Sequence, residues 1–329
     1  MLSLHNLSTK IPAIGPIDFN TNEHTVVVGP SGAGKTTLFR AILGLANCTG
    51  EITLDNRTLT RAGRALRFGP GRGMCMAWQD DRLLPHLTLR DNARLGAKPK
   101  EADDWMELLH ISHLAGRFPH EISGGEAQRV NLVRAFASNC RLVLLDEPFH
   151  GVDIFTIRDL LSSILKKLSA QGRLVLMITH DISAVMGAFS KMLVLQEGKV
   201  TTHDSIESIY SNPQSHWLAQ FLGEFSLLTK EDICYLTGET PGHNSNAFVR
   251  PEWLSIEAHH SVQSNATVLG ATWRASINRI FIRFDWRDGP VSMEVASTSH
   301  YVQGDRIYVT LKKVAYPEWL HNEPISQRG

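Results

Sequence analysis

The chain contains 329 residues, 43% of them hydrophobic, which is enough for one large domain of about 200 residues and a smaller one. Lysine plus arginine and aspartate plus glutamate number 33 each, and this balance argues against sequence-independent nucleic-acid binding, which requires a basic surface. The four cysteines lack C-x-x-C spacing, so we expect them to be reduced thiols. No apolar run reaches the roughly 18 residues of a membrane span, so we expect membrane contact only through a partner.

The first functional signal is a glycine-rich loop after the apolar run Val26–Val28, which is typical of a buried strand. The loop matches G-x-x-x-x-G-K-T, and a helical stretch is predicted from Thr37 to Leu45. In this context backbone N–H groups and the helix N-terminus hold phosphates, Lys35 reaches the β and γ phosphates, and the Thr36 hydroxyl binds Mg²⁺. The predicted nucleotide-binding residues of the loop are Gly29, Pro30, Ser31, Gly32, Ala33, Gly34, Lys35, Thr36 and Thr37.

A helical region follows, because the apolar period between Arg82 and Ala137 is that of helices, with prolines as breakers. We interpret residues 82–137 as a helical subdomain inserted into an α/β core. Gln79 precedes it and is predicted to contact Mg²⁺ or the lytic water. The segment also contains Ser123-Gly124-Gly125-Glu126, a second glycine-rich anion-binding turn, which predicts that two chains share each nucleotide.

Two further apolar runs, Leu142–Leu145 and Leu174–Ile178, predict parallel strands buried on both faces. They end at Asp146-Glu147 and just before His180, so all three side chains are expected at the carboxyl edge of one sheet, where ligands bind. Asp146 is predicted to hold Mg²⁺ through water, and Glu147 to orient or deprotonate the attacking water. His180 is predicted to contact the γ phosphate. A lone histidine or glutamine is more often structural, so these assignments depend on the order of the motifs.

The character of the chain changes after Leu222-Gly223. Residues 280–287 alternate between apolar and polar side chains, which predicts a half-exposed strand, and Asp288-Gly289 predicts a turn into the strand Val291–Val295. We therefore predict a nucleotide-binding domain over residues 1–222, a linker over 223–234 and a small, mainly β domain over 235–329.

The ordered motifs resemble the ATP-binding subunit of an ATP-binding cassette (ABC) transporter over residues 1–222. The resemblance implies an α/β P-loop NTPase core of the ABC ATPase type with an inserted helical subdomain, followed by a small all-β domain like an oligonucleotide-binding fold. The segments that match its motifs are the phosphate loop at Gly29–Thr37, the coupling glutamine Gln79, the signature Ile122–Glu126, the second nucleotide motif Leu142–Asp146 and the switch histidine His180.

The same resemblance implies a homodimer that holds two ATP molecules head to tail and hydrolyses them. One chain contributes the catalytic residues, and its partner contributes Ser123, Gly124 and Gly125 toward the γ phosphate. The implied catalytic residues are Glu147, His180, Gln79 and Lys35, and the implied Mg²⁺ ligands are Thr36, Gln79 and Asp146. Further implied partners are an integral membrane permease, which docks near Gln79 and the helical subdomain, and indirectly an external solute-binding protein. The subunit is then peripheral, on the cytoplasmic face of the inner membrane.

The C-terminal segments Phe248–Glu252 and Gly304–Tyr308 resemble the accessory oligonucleotide-fold domain of importer ATPases for ferric iron, polyamines, sulfate, molybdate and maltose. Gln79–His86 and Phe221–Glu224 look closest to the ferric-iron type. In this family the accessory fold does not imply nucleic-acid binding. The alternatives are a non-transport cassette ATPase acting on DNA or ribosomes, and a β domain that senses a ligand of its own. The transported solute is not set by any residue of the chain.

Three regions of the chain depart from the family pattern. No aromatic residue is present between Ser8 and Pro16 to stack on adenine, and Ile11 is the nearest apolar candidate. In the signature, Glu126 replaces the commoner glutamine and Ile122 the commoner leucine, and both changes preserve shape. Because a carboxylate repels phosphate, we expect Glu126 to point away from the nucleotide. Phe149–Asp153 lacks the usual small and leucine residues before the aspartate.

Overall fold

The structure is a computed structural model, and it describes residues 1–10, 12–60, 73–78, 83–149, 154–240, 242, 246–256, 264–272, 277–287, 289–296 and 301–322. Internal contacts divide the chain into two compact units, Met1–Ile206 and Glu207–Gly329. Among the described residues, no helix is both long enough and apolar enough to cross a bilayer.

The first unit alternates strands and helices. Its strands are β1 Leu2–Lys10, β2 Ala13–Thr21, β3 Thr25–Val28, β4 Cys48–Leu54, β5 Arg57–Thr60, β6 Met74–Ala77, β7 Leu142–Asp146, β8 Leu174–Ile178, β9 Lys191–Gln196 and β10 Lys199–Ser205. Its helices are α1 Lys35–Leu43, α2 Leu89–Ala93, α3 Pro99–Leu108, α4 Gly124–Ala137, α5 Ile154–Ala170 and α6 Ile182–Val185, with short 3₁₀ turns at Ser112–Leu114 and Pro119–Glu121.

A six-stranded sheet with the order β10-β9-β3-β8-β7-β6 forms the centre of this unit. All its neighbours pair in parallel except the edge pair β9 and β10. Every residue of β3, β7 and β8 is buried, which confirms the prediction from their unbroken apolar runs. The three strands therefore end at one edge. A second, antiparallel sheet, β2-β1-β4-β5, packs with α1 and the central sheet around a shared apolar core.

The ends of the helices follow from local chemistry. Helix α1 begins and ends two residues earlier than predicted. It ends at Leu43 because Gly44 adopts a positive φ of 75° and its N–H binds the Ala41 carbonyl. The described part of the segment between β6 and β7 contains α2, α3 and α4, as its helical period predicts. Thr88 and Ser123 cap α2 and α4, since each side chain accepts a backbone N–H from the third residue beyond it.

The second unit contains short strands and helices. Its strands are β11 Ser226–Leu228, β12 Ala247–Val249, β13 Leu254–Ile256, β14 Ala266–Thr272, β15 Ile277–Phe284, β16 Val291–Ala296, β17 Arg306–Ile307 and β18 Val309–Leu311. Its helices are α7 Ile206–Ser211, α8 His216–Leu222, α9 Lys230–Thr237 and α10 Trp319–Asn322, with a 3₁₀ turn at Pro251–Trp253.

Strands β16-β15-β14-β17 form an antiparallel sheet, which confirms the predicted pairing of the strands on either side of Asp288-Gly289; Asp288 itself lies outside the described residues. Alternate residues Ile280, Ile282 and Phe284 are buried, as predicted. The strand ends at Phe284, earlier than the alternation suggested. Beyond it, Trp286 and Arg287 bind the buried carboxylate of Asp232 at 2.8 and 2.6 Å.

A buried arginine joins α8 to the β part of the second unit. The Arg250 side chain donates to the carbonyls of Ala219, Gly223 and Glu224 at 3.0, 2.7 and 3.0 Å. These carbonyls lie at the C-terminal end of α8, where a cation is favoured by the helix dipole. The compact unit therefore begins before residue 223, because Arg250 anchors α8 to the strands that follow it.

Candidate functional site

The phosphate loop joins β3 to α1, and its shape is set by close approaches to neighbouring chain segments. A Cβ on Gly29 would lie 2.0 Å from the Leu195 carbonyl oxygen, and one on Gly34 would lie 2.4 Å from Ile14 Cγ2. Gly32 and Gly34 also have positive φ values of 79° and 96°. Glycine is therefore required in this loop by the chain's own packing.

Lys35 is the first residue of α1, and its ammonium group lies over the loop. The Nζ atom donates to the Gly29 and Pro30 carbonyls at 2.8 and 3.0 Å. Burial lowers the pKa of Lys35, and the nearby carboxylates of Glu147 and Asp146 oppose this shift. A partly desolvated cation held above a loop of backbone N–H groups is suited to receive a phosphate.

Thr36 and Asp146 meet at the carboxyl edge of the sheet, although 109 residues separate them in sequence. The Thr36 hydroxyl donates to Asp146 Oδ2 at 3.1 Å. Burial raises the pKa of Asp146, the Thr36 hydrogen bond lowers it, and Glu147 adds to the increase. The two adjacent oxygen donors have the hard character that Mg²⁺ prefers, and Mg²⁺ sites use one or two protein oxygens together with substrate phosphates. Among the described residues, no cluster of three or more acidic, histidine or cysteine side chains forms a closed metal site.

Glu147 and His180 lie at the ends of adjacent strands and contact each other. His180 Nδ1 is 3.1 Å from Glu147 Oε2, and the side chains are 66% and 24% exposed. The Glu147 N–H binds the Ile178 carbonyl at 3.0 Å, and its φ is +48°, a rarely occupied conformation for a residue other than glycine. Asp146 bonds to Thr36 and Glu147 contacts His180, so the two neighbouring carboxylates have different partners.

The signature turn begins α4, and its serine makes hydrogen bonds within the same helix. Ser123 donates both its backbone N–H and its hydroxyl to Glu126 Oε2, each at 2.8 Å. The Glu126 carboxylate closes a capping box on Ser123, the residue predicted to bind phosphate, and whether Glu126 points away from a bound nucleotide stays a prediction. The reason is local, because the first N–H groups of a helix lack partners. The pattern S-x-x-E before a helix carried that signal.

The glycines of the signature turn are not required by the chain itself. Among the described residues outside its own helix backbone, a Cβ on Gly124 or Gly125 would meet no atom within 4 Å, and neither residue has a positive φ. Ser123 and Gly124 are exposed. Glycine in the first turn of a helix costs stability relative to alanine, and no contact among the described residues requires it here.

Three predicted positions, Ile11, Gln79 and Asp153, lie outside the described residues. The residue before Gln79 reveals a connection that the sequence analysis missed. The Trp78 carbonyl accepts hydrogen bonds from Gln128 and Asn131 of α4, at 3.2 and 3.0 Å. The strand that leads to Gln79 is therefore tied to the helix that begins at the signature. No motif carries this signal, since both donors are ordinary buried polar residues of the helix.

Residues 16–150 match the family model of the ABC transporter. The chain is 35% identical, over 68% of its length, to a Fe(3+) ions import ATP-binding protein from Mesorhizobium japonicum, and the match spans 65% of that relative, slightly under two thirds. It is 30% identical to a Fe(3+) ions import ATP-binding protein from Pectobacterium atrosepticum, over 96% of this chain and 99% of the relative.

A solved structure extends the comparison. A dimeric ATP-binding cassette in a post-hydrolysis state, bound to ADP and phosphate, aligns with a TM-score of 0.53 and 26% identity. The alignment covers 63% of this chain and 99% of the other. The phosphate loop, the acidic strand end and the fold agree with these matches. The chain belongs to the ABC transporter family, as an ATP-binding ATPase subunit similar to those of importers.

Proposed function

We propose that this ATPase energises an importer of inorganic ions, of the ferric-iron type, and that two copies bind two ATP molecules head to tail. The observation that carries the proposal is the contrast between the two glycine-rich turns. The glycines of the phosphate loop are required by close packing within the chain. In the Ser123-Gly124-Gly125 turn, where Ser123 and Gly124 are exposed, no contact among the described residues requires glycine. A nucleotide bound to a second copy would need both the open surface and the backbone N–H groups.

In the proposed site, Lys35 and the loop N–H groups bind the β and γ phosphates. The residues that would hold Mg²⁺ are Thr36, Asp146 and Gln79, and their oxygen donors suit the ion. When bound, Mg²⁺ neutralises charge on the phosphate oxygens. Lys35 uses two of its three ammonium protons on the Gly29 and Pro30 carbonyls, so one proton is left for a phosphate oxygen and a second phosphate contact would replace one of these bonds.

Glu147 orients or deprotonates the attacking water. Its contact with His180 at 3.1 Å supports this role, because the imidazole can hold the carboxylate in position. In the proposed site, His180 also binds the γ phosphate. Across the interface, the hydroxyl and N–H groups of the partner's signature turn bind the same phosphate. Hydrogen bonds to a charged group contribute roughly 1.5–3 kcal/mol each, so loss of the γ phosphate releases the pair.

The head-to-tail arrangement is tested by mixing two defective variants. Lys35→Ala removes the phosphate-binding cation, and Gly124→Asp places a negative side chain in the signature turn. Each variant alone is expected to lose almost all ATPase activity. A heterodimer of the two retains one intact site, so an equimolar mixture that exchanges freely should recover about a quarter of the wild-type rate.

The control is a mixture of Lys35→Ala with Lys35→Ala/Gly124→Asp, which contains no intact site in any pairing. Recovery in the first mixture but not in the second supports a shared site. If the first mixture stays as inactive as its components while both variants remain folded and associate, a site formed by Lys35 of one chain and Gly124 of the other is excluded.

The proposed permease partner makes the subunit peripheral at the cytoplasmic face of the inner membrane. The described helical segment has three exposed large apolar side chains, Leu84, Leu95 and Phe118, which suit contact with a membrane protein's cytoplasmic helix. Copurification of the Glu147→Gln variant from membranes with a polytopic protein supports this role. Copurification with ribosomes or DNA would favour the non-transport alternative, which the balanced charge disfavours.

The solute is tested in cells that lack the chromosomal copy. Uptake of radioactive Fe(III) is expected to return with the wild-type chain and not with Glu147→Gln. Parallel uptake of sulfate and spermidine is the control, because external binding proteins and the permease select the solute. Restoration of sulfate or spermidine uptake without iron uptake would replace the ferric assignment and leave the ATPase role intact.

A further inference from the structure

One histidine, His24, joins three elements at the amino edge of the central sheet. It lies in the turn between β2 and β3 and is half-buried. Its Nδ1 atom accepts the backbone N–H of Val175 in β8 at 3.1 Å, and its Nε2 atom lies 2.7 Å from Ser169 Oγ near the end of α5. This contact lies at the edge of the sheet opposite to the phosphate loop.

The hydrogen bond from Val175 fixes the protonation state of the ring. A backbone N–H only donates, so the Nδ1 atom that receives it carries a lone pair and no proton. The proton of the neutral ring is then on Nε2, which donates to the Ser169 hydroxyl. A second proton, on Nδ1, would set two N–H donors against each other and break the bond to Val175.

The bond to Val175 closes the pairing of β3 with β8 at its amino end. The parallel pairing begins with Thr25 opposite Leu176 and covers three residue pairs. His24 and Val175 each precede the first of these pairs, so the ring adds one side-chain hydrogen bond beyond the backbone ladder. Because the ladder is short, loss of this bond frees the start of β8.

The carboxyl ends of the same two strands lead to the nucleotide site. Strand β3 continues into the phosphate loop at Gly29, and β8 ends at Ile178, whose carbonyl accepts the Glu147 N–H at 3.0 Å. His180 follows two residues after Ile178. A change in how β3 and β8 pair therefore shifts the phosphate loop relative to Glu147 and His180.

A cavity of about 550 Å³ adjoins the ring and gives solvent protons access to it. The charged residues that line this cavity beside His24 are Glu23, Arg141, Arg173 and the amino-terminal Met1. Glu23 bonds to Ser190, and Arg173 donates to the carbonyls of Phe136 and Ala135. Arg141 and the Met1 amino group both pair with Asp55. The neighbouring charges therefore have partners other than the imidazole.

Burial is the largest influence on the acid–base behaviour of the ring. It lowers the pKa of His24 below the ordinary 6.5, and the nearby Leu165 carbonyl opposes this shift. The folded protein therefore binds fewer protons at this position than the unfolded chain does. The contribution of His24 to stability is complete above pH 6.5 and is lost as the pH falls from 6.5 through the lower value.

We propose that His24 is an acid-sensitive latch on the pairing of β3 with β8, and that its protonation slows ATP hydrolysis. In neutral solution the ring accepts the Val175 N–H and holds the start of β8. In acid, a proton from solvent adds to the Nδ1 lone pair, the bond to Val175 breaks, and the charged ring turns toward the cavity. The proton leaves again when the pH rises, so the change is reversible. The latch acts on the ATPase activity itself and does not depend on the proposed importer function.

The test compares the full-length wild type with His24→Asn, which keeps an acceptor oxygen near the position of Nδ1 but takes up no proton. Between about pH 7.5 and 5.5, the wild type is expected to lose at least about threefold more ATPase activity than the variant, and its Tm should fall further. Titration of His180 affects both proteins alike, so the ratio of their activities isolates His24.

The matched control is His113→Asn, at an exposed histidine of the 3₁₀ turn Ser112–Leu114, and it should follow the wild type at every pH. An equal loss of activity and of Tm in the wild type and in His24→Asn would overturn the proposal.

A second measurement needs no variant and decides the question if His24→Asn fails to fold. Hydrogen exchange of the wild-type protein is followed by mass spectrometry over the same pH range and corrected for the intrinsic exchange rate. Protection of the amides at the start of β8 is expected to fall by about tenfold in acid, while that of the β7 amides changes less. Protection of β8 that does not change with pH would show that protonation leaves the Val175 contact intact, and the latch would be excluded.

Discussion

Helices α1 and α4 both begin at a glycine-rich turn, yet the two turns are built differently. In the phosphate loop, Gly29 and Gly34 would clash with Leu195 and Ile14 if they carried a Cβ. In the signature turn, a Cβ on Gly124 or Gly125 would meet no described atom outside its own helix backbone within 4 Å. Packing within the chain therefore sets the shape of the first turn. For the second turn, the described part of the chain supplies no such constraint, which is why we propose that a second copy approaches it.

The polar contacts of the two turns also differ: those near the phosphate loop join distant elements, whereas the cap of the signature turn is local. Lys35, Thr36 and Asp146 form a network between elements far apart in sequence, with pKa values moved by burial. Ser123 is exposed, and its side chain bonds to Glu126 of its own helix. This difference is consistent with the proposed site that two copies share.

The largest effect on ATPase activity is expected from Glu147→Gln. This variant removes the carboxylate that the proposed site uses to orient or deprotonate the attacking water. Turnover should fall by about 100-fold or more, since general base catalysis contributes 10²–10⁴. ATP binding should persist, so the variant should form a stable dimer with Mg-ATP in size-exclusion chromatography with light scattering. Glu107→Gln, at an exposed position of α3, is the matched control. Unchanged ATPase activity would remove Glu147 from the catalytic role, and a monomer at saturating Mg-ATP would remove the shared nucleotide.

The glycine contrast predicts opposite stability changes. Gly29→Ala should lower the free energy of unfolding by about 3 kcal/mol, because its Cβ would overlap a backbone carbonyl. Gly124→Ala should raise it by about 0.5–1 kcal/mol, since alanine favours the helix. Urea denaturation followed by circular dichroism measures both. Gly124→Ala should nevertheless lose ATPase activity, and a fully active Gly124→Ala protein would mean that nothing approaches the turn closely.

Glu126→Ala tests the self-capped state of the signature. Loss of the capping box should lower the free energy of unfolding by about 0.5–1 kcal/mol at neutral pH. The hydrogen bonds from Ser123 lower the pKa of Glu126 below the ordinary 4.5, so its contribution is present above that pH and is lost as the pH falls through the lower value. The difference in Tm between wild type and variant should therefore shrink in acid. A difference that is constant with pH would exclude the ionised carboxylate as the cap.

The same variant frees the Ser123 hydroxyl. In a Glu147→Gln background, Glu126→Ala is expected to tighten ATP-dependent dimerisation severalfold, because Ser123 no longer has to exchange Glu126 for phosphate. Glu107→Ala in the same background is the control. Weaker dimerisation would show that Glu126 supports the interface instead of competing with it.

The smallest expected effect concerns the nucleotide base, adenine or guanine. With no aromatic residue between Ser8 and Pro16, stacking of about 1–3 kcal/mol is missing, so ATP and GTP should bind within about tenfold of each other. Competition against a fluorescent ATP analogue measures the ratio. A strong preference for ATP would mean that an aromatic ring from another segment supplies the stacking.

Much of the fold, and the residue types of the phosphate loop and of the strand ends, could be predicted from local patterns. Unbroken apolar runs identified β3, β7 and β8, because strands buried on both faces have no polar positions. The end of α1 was missed by two residues, since Gly44 stops the helix before the apolar pattern does. The sequence analysis did not predict the Glu126 cap, although the S-x-x-E spacing indicates one. It considered the repulsion between Glu126 and phosphate, and not the unpaired N–H groups at the start of a helix, which need hydrogen-bond acceptors.

The sequence by itself determined which chemical groups stand at the strand ends and helix starts, because backbone geometry places consecutive residues within a few ångströms of each other. Only the tertiary structure decided that Thr36 meets Asp146 and that Glu147 meets His180. Each of these contacts depends on the order in which parallel strands pair. That order is set by how the whole core packs, and no short segment contains it.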